Sequence, residues 1–196
     1  DNTMPAPIGA GIVLSTLYLR IDVFLLARCS GAEAVAHYGA LFRMLDALRL
    51  FPAALLAVMT ARMFHGRDVV FLRRISLGLL AFGVVVGATL FLAAPVVVPL
   101  AFGPAFAPAV PYLRILLLAY PLLALNYGLT AQLIGWNAQR AFAWVMLSAL
   151  VTTVALNAVL IPRAGASGAA WATVLTELCV TGLAVAALRR CLRDGA

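Results

Sequence analysis

The 196 residues are 65% hydrophobic and only 11% charged, with a mean hydropathy of +1.06. A water-soluble domain of this length cannot hide that much apolar surface, because its own exterior must face water, whereas a bilayer acts as an apolar solvent and removes the conflict. All 14 basic residues are arginine, set against 7 acidic ones; most lie at the ends of apolar runs or inside them, which points to membrane orientation and intramembrane function rather than to nucleic acid.

The chain begins at Asp1 without a basic leader, and Arg20 and Asp22 interrupt its first apolar run, so that run does not read as a signal peptide. A start without Met is read as a fragment, or the end of a longer chain. Six spans follow: 7–27, 36–59, 75–94, 111–134, 141–161 and 168–188. Each has about 20 residues, enough to cross a hydrocarbon core of roughly 30 Å at about 1.5 Å per residue. The runs are too long for barrel strands and lack a period of two, so the expected fold is all-α: a polytopic six-helix membrane bundle occupying residues 1–196 as one unit.

Helix breakers sit mostly between spans, at Pro104, Pro108, Pro111 and Pro162. Pro52 and Pro121 fall inside spans and are expected to kink them, with neighbouring helices satisfying the freed carbonyls. The third span is expected to continue past Pro95 and Pro99 as a kinked or interfacial extension. Gly83 and Gly87 form a GxxxG pair, and Gly11 and Ser15 a small-xxx-small pair, that permit close helix approach. The stretch 62–74 mixes arginines with Met63, Phe64, Val69, Val70 and Phe71, which fits an interfacial helix and a plain basic loop equally well. Arginines 62, 67, 73, 74, 140, 189, 190 and 193 fall on one side, and 28, 114 and 163 on the other. The short-loop rule makes the first side cytoplasmic, with both termini inside the cell.

No enzyme constellation is present: there is no phosphate-cradling GxxxxGK[ST], no HExxH and no CxxC. Cys29, Cys179 and Cys191 have no metal-ligand spacing and read as apolar filler, and His37 and His65 lie on opposite sides. No cofactor or metal is expected. The informative cluster is intramembrane and charged: Arg20 and Asp22 on span one, and Arg43, Asp46 and Arg49 on span two, the latter three expected along one helix face. Antiparallel neighbours would pair Asp22 with Arg43 and Arg20 with Asp46. A charge at mid-membrane costs at least about 2.5–3.5 kcal/mol, so these groups either lock two helices together or line a polar cavity. Span six adds Thr173, Thr176, Glu177 and Thr181 on one face, with Glu177 near the midplane as a candidate for ion coupling. Asn126 and Asn157 fit either packing or a cavity.

The stretches LYLRIDVFLLARCSGAEAVAHYGALFRMLDALRLFPAAL (17–55), LAFGPAFAPAVPYLRILLLAYP (100–121) and LNAVLIPRAGASGAAWATVLTEL (156–178) resemble, in order and spacing, the C-terminal half of bacterial polysaccharide-lipid flippases. The resemblance implies one lobe of a transporter in the multidrug/oligosaccharidyl-lipid/polysaccharide (MATE-like) superfamily. It further implies a two-lobed, alternating-access carrier of polyprenyl-pyrophosphate-linked oligosaccharide in the bacterial inner membrane. A cationic cavity is implied at Arg20, Asp22, Arg43, Asp46 and Arg49. The first lobe is absent from the sequence, so the implied partners are a lipid-linked oligosaccharide, the bilayer and a second six-helix lobe, which is either a missing N-terminal half or another copy. Nucleic acid is not among them. Competing readings are a cation-coupled multidrug exporter of the same fold, a membrane-embedded glycan polymerase, and a non-transporting scaffold. The exporter would want an acidic or aromatic cavity, and the polymerase a larger polar loop than the outer connections allow.

Overall fold

The computed structural model describes residues 6–18, 21–29, 31–63 and 69–193, and the regular structure among them is helical throughout. The helices are α1 (Ala6–Tyr18), α2 (Ile21–Cys29), α3 (Ala32–Met63), α4 (Val69–Phe102), α5 (Val110–Gly135) and α6 (Gln139–Arg193). A 3-10 segment, Pro104–Ala109, leads into α5. Three of these stretches are long and apolar enough to cross a membrane: Val69–Phe102, Pro104–Gly135 and Gln139–Arg193. With the composition, they mark the chain as a membrane protein.

At 55 residues α6 would run about 80 Å as one rod, far more than a bilayer is thick. It is two arms. Gly165 breaks the helix with φ 54° and ψ −131°, a backbone region open to glycine and closed to residues bearing a Cβ. The arms fold back on each other: Thr152 Oγ1 lies 3.7 Å from Cys179 Sγ, and Gly168 packs directly on the Leu160 carbonyl. The arms contain the sequence segments 141–161 and 168–188, and each is long enough to cross.

The expected run 7–27 is covered by α1 and α2, with residues 19–20 between them outside the described residues. Arg62 belongs to the end of α3 and residues 69–74 to the first turns of α4, while 64–68, including His65 and Arg67, lie outside the described residues. His37 is buried edge-on against Phe106, with ring centroids 4.9 Å apart.

The prolines explain how the long helices pack. A proline removes the N–H that would reach the carbonyl four residues back. Pro52 frees the Leu48 carbonyl, and the Tyr120 hydroxyl of α5 donates to it at 2.9 Å. α4 continues through Pro95 and Pro99 to Phe102; Pro95 frees the Phe91 carbonyl, and Arg114 Nε of α5 donates to it at 3.2 Å. Thus α5 caps the proline defects of two neighbours, an arrangement that lets such residues sit in membrane helices. Pro121 makes the same defect in α5, and α4 meets it with its small residues. A Cβ on Gly83 would stand 2.7 Å from Pro121 Cα, and one on Gly87 would stand 3.2 Å from the freed Leu117 carbonyl. The GxxxG pair therefore lets α4 lie close on α5.

Apolar side chains pack in a small cluster of Leu56, Ile75 and Leu79 and in two larger ones at opposite ends. One gathers Leu26, Leu41, Val98, Leu113, Ile161 and Ala169 near the Gly165 turn. The other gathers Leu72, Leu133, Trp136, Phe142, Val180 and Leu188 near the Gln139 end. Between them lies a layer of buried polar residues drawn from α2, α3, α5 and both arms of α6: Asp22, Arg49, Asn126, Thr153, Asn157, Thr176 and Glu177.

Candidate functional site

The polar layer forms the candidate site. Asp22 is 2% exposed and sits at the start of α2. Its Oδ1 accepts from the Val23 N–H and its Oδ2 from the Tyr38 hydroxyl of α3, each at 2.8 Å. The Tyr38 oxygen also lies 3.4 Å from Thr173 Oγ1, which ties α2, α3 and α6 together at one point. The partner of Asp22 is therefore a neutral phenol, not Arg43.

Arg43, Asp46 and Arg49 do not share one face. A spacing of three falls about 60° short of a full turn at each step, so the outer two residues diverge by about 120°. Arg43 is exposed, Asp46 half-buried and Arg49 5% exposed. Arg49 Nη1 donates to Asp46 Oδ1 at 2.8 Å, and its guanidinium carbon lies 5.3 Å from the centroid of the Phe42 ring. Its other edge, Nε with Nη2, is buried and has no hydrogen-bond partner among the described residues. Arg20 lies outside those residues.

Glu177 is 1% exposed in the second arm of α6. Asn126 Nδ2 of α5 donates to Glu177 Oε2 at 2.8 Å and to its backbone carbonyl at 3.0 Å. Thr181 returns a hydroxyl to Asn126 Oδ1 at 2.8 Å. The expected polar face of this arm points inward. Asn157 serves its own helix, donating to the carbonyl and hydroxyl of Thr153. Asn126 is thus an interhelical residue and Asn157 a local one.

Two spaces open on this layer. A narrow cleft is lined by Asp22, Phe42, Arg49, Thr153, Thr173, Thr176 and Glu177, so it brings both buried carboxylates and the buried arginine to one place. A larger cavity of about 340 Å³ is shared by Arg49, Asn126, Glu177, Tyr127, Thr130 and Ser15 with an apolar remainder that includes Leu56, Leu123, Phe142 and Met146. Arg49 and Glu177 line both. Among the described residues no three His, Cys, Asp or Glu side chains are grouped to hold a metal ion. The arrangement sets a buried arginine, one donor edge of which has no hydrogen-bond partner among the described residues, beside a largely apolar space with carboxylates close by.

Tyr38 was not singled out in the sequence, although it is the residue that secures Asp22. Its only sequence signal is a phenol in an otherwise apolar run, 16 residues after the carboxylate. Comparison of the chain with protein-family models, with curated proteins and with solved structures gives no match.

Proposed function

We propose that the chain is one lobe of a membrane carrier for an amphiphilic anion, of the kind represented by a polyprenyl-pyrophosphate-linked oligosaccharide, and that Arg49 holds the anionic group. The observation that carries this reading is the Nε–Nη2 edge of Arg49, buried and without a hydrogen-bond partner among the described residues, on a side chain that lines a mostly apolar cavity. That edge is a fork of parallel N–H donors, the geometry that pairs with two oxygens of a phosphate, and guanidinium keeps its charge on partial desolvation. The apolar remainder of the cavity suits a chain attached to the phosphate. A cationic drug would meet the arginine as a like charge, which disfavours the exporter reading.

In this reading Asp46 holds Arg49 when the site is empty, and Glu177 serves ion coupling from the cavity wall. Arg43, turned outward on α3, faces a second six-helix lobe across the pathway, so a single lobe does not transport alone. The arginine-rich end of the bundle is cytoplasmic in a bacterial inner membrane.

The test is binding of farnesyl pyrophosphate to the detergent-solubilised chain. Arg49→Ala is expected to weaken binding by roughly a hundredfold, the loss of a charge-assisted bidentate contact of about 3 kcal/mol. Arg49→Lys keeps the charge and recovers only part of it, because an ammonium lacks the fork. Equal binding by the parent and Arg49→Ala overturns the assignment.

A further inference from the structure

The end of the α6 hairpin farthest from Gly165 carries two grooves with a tryptophan between them. One, about 450 Å³, runs between the two arms past Val145 and Leu183, with Arg190 toward the open end. The other, about 230 Å³, lies between α1 and the first arm, bounded by Leu14 and Leu147, with Arg140 toward the open end. Trp144 lines both grooves and is 68% exposed. Both arginines are exposed, and among the described residues neither is paired with a carboxylate.

Three features converge on the chemistry of an occupant. The grooves are apolar along their length and cationic at one end, so each matches a chain whose head is anionic. An exposed indole with arginines beside it is the pattern found at the level of lipid headgroups. The same end also carries Arg73 and Arg74 at the start of α4 and Arg189 and Arg193 at the end of α6, all exposed, so its potential favours anions. Basic pockets between membrane helices are recognised by the headgroups of anionic lipids.

We propose that this end holds one anionic phospholipid of the surrounding bilayer, its phosphate between Arg140 and Arg190 and its two acyl chains in the grooves on either side of Trp144. The lipid would bind the first arm to α1 and to the second arm. The site is separate from the mid-layer cavity and does not depend on what that cavity carries.

The test replaces Trp136 and Trp171 with Phe, so that Trp144 alone fluoresces, and places the chain in phosphatidylcholine vesicles with a minor fraction of brominated phosphatidylglycerol. Quenching is expected to show the brominated lipid enriched at Trp144 by roughly fivefold or more over its bulk fraction, about what one surface arginine contributes. Arg140→Ala with Arg190→Ala should return it to the bulk fraction, while Arg73→Ala with Arg74→Ala should leave it enriched. Native mass spectrometry of the unsubstituted chain from equimolar phosphatidylglycerol and phosphatidylcholine reads the same preference without tryptophan replacement. Quenching at the bulk fraction in the parent, equal retention of the two lipids, or equal losses from both arginine pairs would overturn the proposal. The last outcome would mean that surface charge alone gathers the lipid.

Discussion

Replacing Tyr120 with Phe removes one hydroxyl and little else, and it tests whether α5 secures the broken point of α3. The Tyr120 side chain is fully buried and its hydroxyl donates to the Leu48 carbonyl at 2.9 Å. That carbonyl has lost its helical donor to Pro52, and the Tyr120 hydroxyl takes the donor's place. Leaving a buried acceptor unsatisfied costs about 1–3 kcal/mol, and interhelical bonds in membranes measure at the lower end of that range. Tyr120→Phe should therefore cost about 1.5 kcal/mol, roughly a tenfold change in the folding equilibrium. The decisive comparison uses Pro52→Ala. Alanine restores an N–H to the Leu48 carbonyl, and in that background Tyr120→Phe should cost less than about 0.5 kcal/mol. Unfolding of the micelle-bound chain by sodium dodecyl sulfate, followed by far-ultraviolet circular dichroism, gives all four corners of the cycle. An equal cost of Tyr120→Phe in both backgrounds would refute the reasoning, because the hydroxyl would then be acting independently of the proline.

The same unfolding assay reads two further effects. Gly83→Ala should destabilise by about 1–3 kcal/mol, because the new methyl meets the Pro121 backbone rather than a side chain that can turn away, while Gly78→Ala, with open space around it, should be neutral or stabilising by up to about 1 kcal/mol. Equal effects at the two glycines would remove the close approach of α4 and α5 as the cause. Asn126→Ala should cost about 1–3 kcal/mol by stripping partners from Glu177 and Thr181 on another helix, and Asn157→Ala clearly less, since its amide bonds only its own turn. A larger loss at Asn157 would contradict the division of roles.

Much of this arrangement is legible from residue type and spacing. Proline positions name the carbonyls that need donors, GxxxG names the tight contact, and an Asn or Glu in an apolar run announces a buried polar group. The identity of the donors is not legible, because Tyr120 and Arg114 reach across from another helix and nothing in the sequence near Pro52 or Pro95 points to them. Arg43 diverges from Arg49 for a geometric reason: three charges spaced by three look like a stripe on paper but wind around the helix by about 60° per step. Charge alone points Asp22 to an arginine, whereas the group that donates to it is the Tyr38 phenol.

The Gly165 turn bears on how the chain enters the membrane. A single residue with non-helical geometry joins two arms that are each long enough to cross. There is no tether on which one arm could wait outside while the other is still being threaded, so the arms must leave the insertion machinery as a preassembled wedge. The completed hairpin then shows the far side little beyond Pro162, Arg163 and Ala164, which are exposed beside the turn.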